Sequence, residues 1–184
     1  MSKKSVLFHF LKIPVLGTLF YAAVYFENAQ QQRLVILFLV FAAYIVIGLV
    51  RGLLKRYETL HSLSFLIDIL LIYILEHNSR LLINYFLHSF YIVTLLEIAL
   101  TLKRRAGTAL GIIAVAVSLI KYVFLIYYRP NLSSVSQMAF FMLVNILILV
   151  MASFAQFNKE EKEKKDILYS ELLNAYKQLK QYIN

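Results

Sequence analysis

Apolar runs of nearly membrane-spanning length, separated by short polar stretches, are the feature of this sequence that most constrains its fold. A helix that crosses the hydrocarbon core of a bilayer needs about 20 mostly apolar residues. Six runs approach or reach that length, and 61% of the 184 residues are hydrophobic while 16% are charged. A soluble domain is nearer half apolar and a quarter charged. The composition therefore predicts an integral membrane protein.

The runs divide the chain into six predicted membrane helices followed by a polar tail. Residues 1–157 are predicted to form a transmembrane bundle, and residues 158–184 a cytoplasmic linker. The third run is short and carries Asp68, which is unusual for a membrane helix. The predicted spans cover residues 6–26, 34–54, 61–75, 81–102, 108–128 and 135–157. The predicted fold class is therefore all-α, a six-span helical bundle.

Basic residues lie almost entirely on one side of the predicted membrane. Cytoplasmic loops of membrane proteins carry an excess of Lys and Arg. The basic residues of segments 3–12, 51–56, 103–105 and 159–165 lie on one side. The other side has only Arg33, Arg80 and Arg129. We therefore expect both termini in the cytoplasm and very short outer loops.

The net charge of +9 does not indicate a nucleic-acid partner. The basic residues cluster at the ends of apolar runs, where membrane topology explains them. The chain contains no Cys, which excludes disulfides, thiol catalysis and Cys-based metal sites. Membrane lipids are the partner that this composition predicts, and nucleic acid is not expected.

The C-terminal third of the chain predicts one long helix. After Pro130 there is neither Gly nor Pro, and Ser134 with Gln137 fits a capping box at a helix start. The tail then places five residues at spacings of 4, 3, 4 and 3, which is the heptad pattern of a coiled coil. These seam residues are Leu168, Leu172, Ala175, Leu179 and Tyr182. The last span is therefore predicted to continue into a signalling coil in a parallel homodimer.

The same heptad is polar where the helix leaves the membrane. Counting back from Leu168 places Asn158, Glu161 and Lys165 on the seam, between apolar segments on either side. A seam interrupted in this way could change between zipped and splayed forms, so these residues are a candidate switch collar. The alternative is that they are only the solvated, positively charged flank of a membrane helix.

Three ionisable residues in the predicted spans form a candidate intramembrane polar layer. Asp68, His88 and Lys121 each lie about 11 to 13 Å from the outer ends of their spans, at 1.5 Å per residue. Such residues are functional hypotheses by default, and this layer could respond to protons, ions or water. The alternative is that Asp68 and Lys121 only neutralise each other between helices.

Two further polar residues have simpler interpretations. Glu97 is expected to pair locally near Thr101 and Lys103, and Asn145 to bond either its copy in a partner or a residue of its own bundle. No His pair has metal-ligand spacing, and neither a Gly-rich phosphate loop nor a catalytic carboxylate pair is present. The sequence therefore predicts no catalytic, cofactor-binding or metal site in this segment.

The tail from Ile167 to Tyr182 resembles the signalling helix of bacterial sensor histidine kinases, where a Glu-Leu-x-x-Ala-x-x-x-Leu coil joins the last span to the dimerisation domain. The short-looped topology is similar to that of the DesK-like branch of the NarL-associated kinases. This resemblance implies a sensory input module in a bacterial plasma membrane, with ATP and a response regulator serving kinase domains expected beyond Asn184. It carries over no catalytic residue, because no position here matches a His-Asp phospho-acceptor motif or a Gly-rich ATP lid.

Three other functions are compatible with the same residues. Some multi-span diguanylate cyclases carry a similar helix, so the chain could be the input region of such an enzyme. In a small transporter or channel subunit, the layer of Asp68, His88 and Lys121 would be the pathway. In a membrane scaffold, the tail would dock the coiled coil of a different protein. The sequence identifies no stimulus.

Overall fold

The computed structural model describes residues 3–27, 31–54, 57–79, 83–128 and 130–183, without the side chains of residues 3–10, 31, 32, 53 and 181–183. Six helices make up almost all of this described part: α1 (Lys3–Glu27), α2 (Gln31–Leu54), α3 (Glu58–Asn78), α4 (Tyr85–Thr101), α5 (Arg104–Tyr128) and α6 (Leu132–Ile183). The all-α prediction is confirmed.

Helix α4 is shorter than the predicted fourth span, residues 81–102. The Asn84 side chain caps its start, because Oδ1 accepts hydrogen bonds from the backbone N–H groups of Phe86 and Leu87 at 3.2 and 3.4 Å. Such an acceptor satisfies N–H groups that have no partner within the helix. The helix therefore begins at Tyr85, and residues 81 and 82 lie outside the described part of the chain.

Helix α6 begins earlier than predicted. Its cap is Asn131, whose Oδ1 accepts a hydrogen bond from the Ser133 N–H at 3.3 Å. Ser134 and Gln137 lie inside the helix, so the predicted capping box is wrong. The third and fifth helices also exceed their predicted bounds of 61–75 and 108–128, because polar residues at their ends continue the helix beyond the apolar runs.

Contacts at the two ends of the bundle show that the first four helices alternate in direction. Lys12, in the first half of α1, meets Glu97, in the second half of α4. Arg51, near the end of α2, meets the same carboxylate. At the opposite end, Glu27 of α1 accepts a hydrogen bond from Asn84, just before α4, at 3.3 Å. This alternation brings charged residues from distant parts of the sequence to the same level.

Helix α4 lies at the centre of the bundle and packs against α1, α3, α5 and α6. The aromatic part of the core lies where α1, α2 and α4 meet. Phe20 and Phe41 stack with ring centroids 4.1 Å apart, and Tyr44 and Phe90 stack at 5.7 Å. Stacked aromatic pairs add to the stabilisation from burial alone. A shift of α4 would therefore disturb most of the other helices.

The outer surface of the bundle is apolar, as expected for a protein in lipid. Within the described part, four helical stretches are long and apolar enough to cross a membrane: Arg33–Gly52, Glu58–Asn78, Arg104–Tyr128 and Leu132–Lys180. Helix α4 is also apolar, but it has 17 residues, close to the shortest membrane helices of about 17 residues. These features support a membrane protein with several candidate spans.

Candidate functional site

Four buried charged side chains from four helices form one ion-pair network, the Arg51 cluster: Lys12, Arg51, Asp68 and Glu97. Arg51 Nη2 donates to Asp68 Oδ2, and Nη1 lies 2.8 Å from Glu97 Oε1. Lys12 Nζ donates to the other oxygen of Glu97. Lys12 is 7% exposed and the other three are 0 to 1% exposed. The two positive and two negative charges balance inside the bundle.

Neighbouring side chains hold the two cations of the Arg51 cluster in place. Arg51 Nε donates to Ser64 Oγ at 2.9 Å, and its guanidinium carbon lies 3.8 Å from the centroid of the Phe65 ring. Lys12 Nζ lies 5.1 Å from the centroid of the Tyr44 ring. The cavity beside Lys12 measures about 20 Å³, which is room for about one water molecule. The packing therefore leaves little free volume beside Lys12.

A closed ion-pair network of this kind favours discrete helix arrangements. Buried charges are costly to separate, since removing one partner typically destabilises a protein by about 3–5 kcal/mol. A small shift of α1, α2, α3 or α4 would leave a charge of the Arg51 cluster without its partner. Packed elements of this type therefore change between defined arrangements rather than continuously.

A second network, the Glu76 cluster, lies nearer the end of α3 and contains Glu76, His88 and Lys121. His88 Nδ1 lies 3.1 Å from Glu76 Oε1. Lys121 Nζ donates to the backbone carbonyl of Glu76. The His88 ring also packs against Tyr122 and Phe141, with centroid distances of 5.4 and 4.6 Å. This network joins α3, α4 and α5, and Phe141 brings α6 into contact with it.

The structure does not bring Asp68, His88 and Lys121 together as the predicted polar layer. Asp68 is bonded to Arg51, whereas His88 and Lys121 both meet Glu76. The prediction compared only the depths of the residues along their helices. Long side chains reach several ångströms from their own level, so depth alone does not identify partners. The single layer is replaced by two clusters.

Glu97 also differs from its sequence-based interpretation. Its carboxylate pairs with Lys12 and Arg51 rather than with a residue near Lys103, while Thr101 Oγ1 donates to its backbone carbonyl at 2.7 Å. An i, i+4 contact of the latter type is local and does not neutralise the carboxylate. The charge on Glu97 is therefore balanced by cations from α1 and α2, which are far away in sequence.

Two amide side chains attach α6 to the bundle. Asn145 Nδ2 donates to Ser118 Oγ of α5 at 3.1 Å, which is the intramolecular alternative foreseen for Asn145. Gln156 Nε2 donates to the backbone carbonyls of Ala99 and Leu102 at 2.9 and 3.0 Å. These carbonyls lie at the end of α4, where backbone acceptors lack helical partners. Gln156 thus ties α6 to the segment that follows Glu97.

The tail of α6 is helical and exposed. The helix has no break across its 52 residues, Leu132–Ile183. Leu168, Leu172 and Leu179 are 68%, 67% and 61% exposed. The remaining seam and collar positions are exposed too, namely Ala175, Asn158, Glu161 and Lys165. Tyr182 belongs to the helix, but its side chain lies outside the described part.

Four residues that define these contacts were not singled out as site residues from the sequence: Lys12, Arg51, Glu76 and Gln156. From the sequence, Lys12 and Arg51 were interpreted as basic residues at the cytoplasmic ends of membrane spans, where Lys and Arg are common. The signal that could have found them is charge balance. Each of the first four apolar runs contains one of these two cations or two anions, and buried charges need partners.

Within the described residues, no group of three or more His, Asp or Glu side chains could hold a metal ion. Comparison with protein-family models finds no match, and neither curated proteins nor solved structures yield one. The two charge clusters, the attachment of α6 and its exposed tail are the features of the molecule that bear on its function.

Proposed function

We propose that this chain is the transmembrane input module of a two-component sensor histidine kinase. A stimulus in the membrane would shift the bundle, and α6 would pass the shift to a dimeric cytoplasmic coil. The observation that carries this proposal is the unbroken helix α6 of 52 residues. Its first half is attached to α4 and α5, and its second half presents leucines at heptad spacing.

In this proposal all six helices cross the membrane and both termini are cytoplasmic. Support comes from the alternating helix directions and from the concentration of basic residues at one end of the bundle. Helix α4, with 17 residues, is about 25 Å long at 1.5 Å per residue. Because α4 packs against four other helices, most of its side chains contact protein rather than lipid, and this helix need not span the full thickness of the bilayer by itself.

The exposed leucines of the tail support a homodimer. Fully burying a Leu side chain stabilises a protein by about 1.5–3 kcal/mol relative to leaving it in water. In a parallel two-stranded coil, Leu168, Leu172 and Leu179 would each face their copies. The collar would place Glu161 against Glu161 and Lys165 against Lys165, so this part of the seam is weak. A weak junction between two apolar seams is suited to a change of register.

The proposal is tested by disulfide cross-linking of the full chain in membranes. Because the chain has no Cys, each variant carries a single thiol. Leu168→Cys, Leu172→Cys and Leu179→Cys should form dimers on mild oxidation. Ser170→Cys and Lys177→Cys, on the opposite side of the helix, should form few. Equal yields at all five positions, or none at the seam, would contradict the dimeric coil; the latter result favours a transporter or a docking partner of different sequence.

The output domain is tested separately by the reading frame beyond codon 184. A His-Asp motif followed by an ATPase domain would support the kinase, which uses ATP and a response regulator. A diguanylate cyclase domain would support that alternative and would leave the transmission through α6 intact. A stop codon at this point would contradict an input module fused to its own output domain.

A further inference from the structure

A cleft lies where α6 leaves the bundle, between the starts of α3 and α5. Its volume is about 570 Å³, within the range of small-molecule sites. Its charged lining comes from α3, from α6 and from the segment at the start of α5: Glu58, Lys103, Arg104, Arg105 and Glu160. Three cations and two carboxylates leave one positive charge in excess.

The excess charge belongs to the two arginines. Lys103 Nζ and Glu58 Oε1 are 2.9 Å apart and neutralise each other. In the described part of the chain, no carboxylate lies within ion-pair distance of Arg104 or Arg105. Glu160 lines the α6 side of the cleft and is half-buried. No cation of the cleft lies within ion-pair distance of its carboxylate. A monovalent anion between the arginines would balance the lining.

The cleft also lies at the level expected for lipid headgroups. The Arg104 guanidinium carbon lies 5.3 Å from the ring centroid of Phe157, the last residue of the sixth predicted span. Arg104 is the first residue of α5, a helix of 25 residues. The N–H groups of a first helical turn and the helix dipole both favour an anion. After Arg105, α5 continues with mostly apolar residues, which extend from the cleft along the bundle.

We propose that this cleft binds the phosphodiester headgroup of an anionic phospholipid. Arg104 and Arg105 contact the phosphate, the Lys103–Glu58 pair forms the rim, and the acyl chains continue along the apolar surface of the bundle. Because Glu160 belongs to α6 and lies two residues after Asn158, a bound headgroup acts at the start of the switch collar. The site itself does not depend on the sensor function proposed above.

The binding site is tested on the purified full chain by native mass spectrometry with three probes: phosphatidylglycerol, phosphatidylcholine with the same acyl chains, and soluble glycerol phosphate. Each basic residue near an anionic lipid contributes a factor of about five in affinity. Arg104→Gln with Arg105→Gln should therefore weaken phosphatidylglycerol binding about 25-fold. The matched control, Lys177→Gln with Lys180→Gln, removes two charges from the exposed tail and should leave the Kd unchanged.

A second variant gives an effect of opposite sign, which misfolding would not produce. Glu160→Gln removes a carboxylate from the cleft and should tighten phosphatidylglycerol binding several-fold. Equal losses in the cleft and tail variants would overturn the site, as would equal affinity for phosphatidylcholine. Equally tight binding of glycerol phosphate would show a site for soluble phosphate esters instead. If cross-linking of the tail fails while these results hold, the lipid site stands and the proposed sensor does not.

Discussion

Arg51 holds both carboxylates of the Arg51 cluster, so its removal should strongly destabilise the bundle. Arg51→Met removes the hydrogen bonds to Asp68 and Ser64 and the ion pair with Glu97. Asp68 is 0% exposed and would be left without a cation. Removing one partner of a buried pair costs about 3–5 kcal/mol, a large part of a typical stability of about 5–15 kcal/mol.

A second substitution in the same cluster should recover part of this loss. Asp68→Asn has nearly the same shape and removes the unpaired charge, so that Lys12 and Glu97 remain as a neutral pair. The remaining cost is that of an unsatisfied buried amide, about 1–3 kcal/mol. The variant with both Arg51→Met and Asp68→Asn should therefore be more stable than Arg51→Met alone by about 2 kcal/mol. The coupling energy between the two sites exceeds this difference by the cost of Asp68→Asn alone.

The free energy of unfolding is measured by SDS titration of the purified full chain in mixed micelles, with helical circular dichroism as the signal. The control cycle combines Asp68→Asn with Lys121→Gln, whose effects should add within about 0.5 kcal/mol because the two residues do not share a partner. Additive effects of Arg51→Met and Asp68→Asn would refute the cluster. Coupling between Asp68 and Lys121 would restore the layer expected from the sequence.

Three smaller changes test the attachment of α5 and α6 by the same titration. Gly111→Ala places a Cβ that would overlap Leu149 Cδ1, the end of a flexible side chain, so Leu149 must change rotamer at a cost of about 0.5–1.5 kcal/mol. This cost offsets the gain in helix propensity of about 1 kcal/mol, so Gly111→Ala should be clearly more stabilising in a Leu149→Ala background; the same effect in both backgrounds would mean that the two residues are not in contact. Gln156→Leu removes the donor to the backbone carbonyls of Ala99 and Leu102, which should cost about 1–3 kcal/mol. Amide exchange at the end of α4 should become faster; unchanged exchange would argue against these hydrogen bonds. Asn145→Ala removes the bond to Ser118 and should cost about 0.6 kcal/mol; a cost of several kcal/mol would indicate a further partner.

Helix positions were predictable because length and apolarity are local properties of the sequence. Each predicted span overlaps one of the six helices. The starts of α4 and α6 were misplaced because Asn84 and Asn131 cap them. Asn side chains satisfy helix N–H groups from outside the apolar run. Hydropathy alone therefore places the helix but not its first residue.

The partners of the buried charges were not predictable in the same way. Arg51 and Lys12 lie at span ends, where basic residues usually remain at the membrane surface, whereas here they turn inward to Glu97 and Asp68. Which face of a helix turns inward depends on packing between helices. The depth of a residue along its span does not show which face of the helix it occupies. The hydrogen bonds of Gln156 likewise depend on the position of the end of α4 beside α6, which the sequence does not give.

Transmission from the bundle to a dimeric tail through α6 is tested most directly by the distance between two copies at Leu172. Spin labels on Leu172→Cys are measured by pulsed electron resonance in lipid bilayers, in the otherwise unchanged chain and with Gln156→Leu added. We predict a narrow distance distribution for a coil whose helix axes are about 8–10 Å apart, and a broadened or displaced one when α6 is no longer tied to α4. No dipolar coupling would contradict the dimer, and identical distributions in both proteins would contradict transmission through α6.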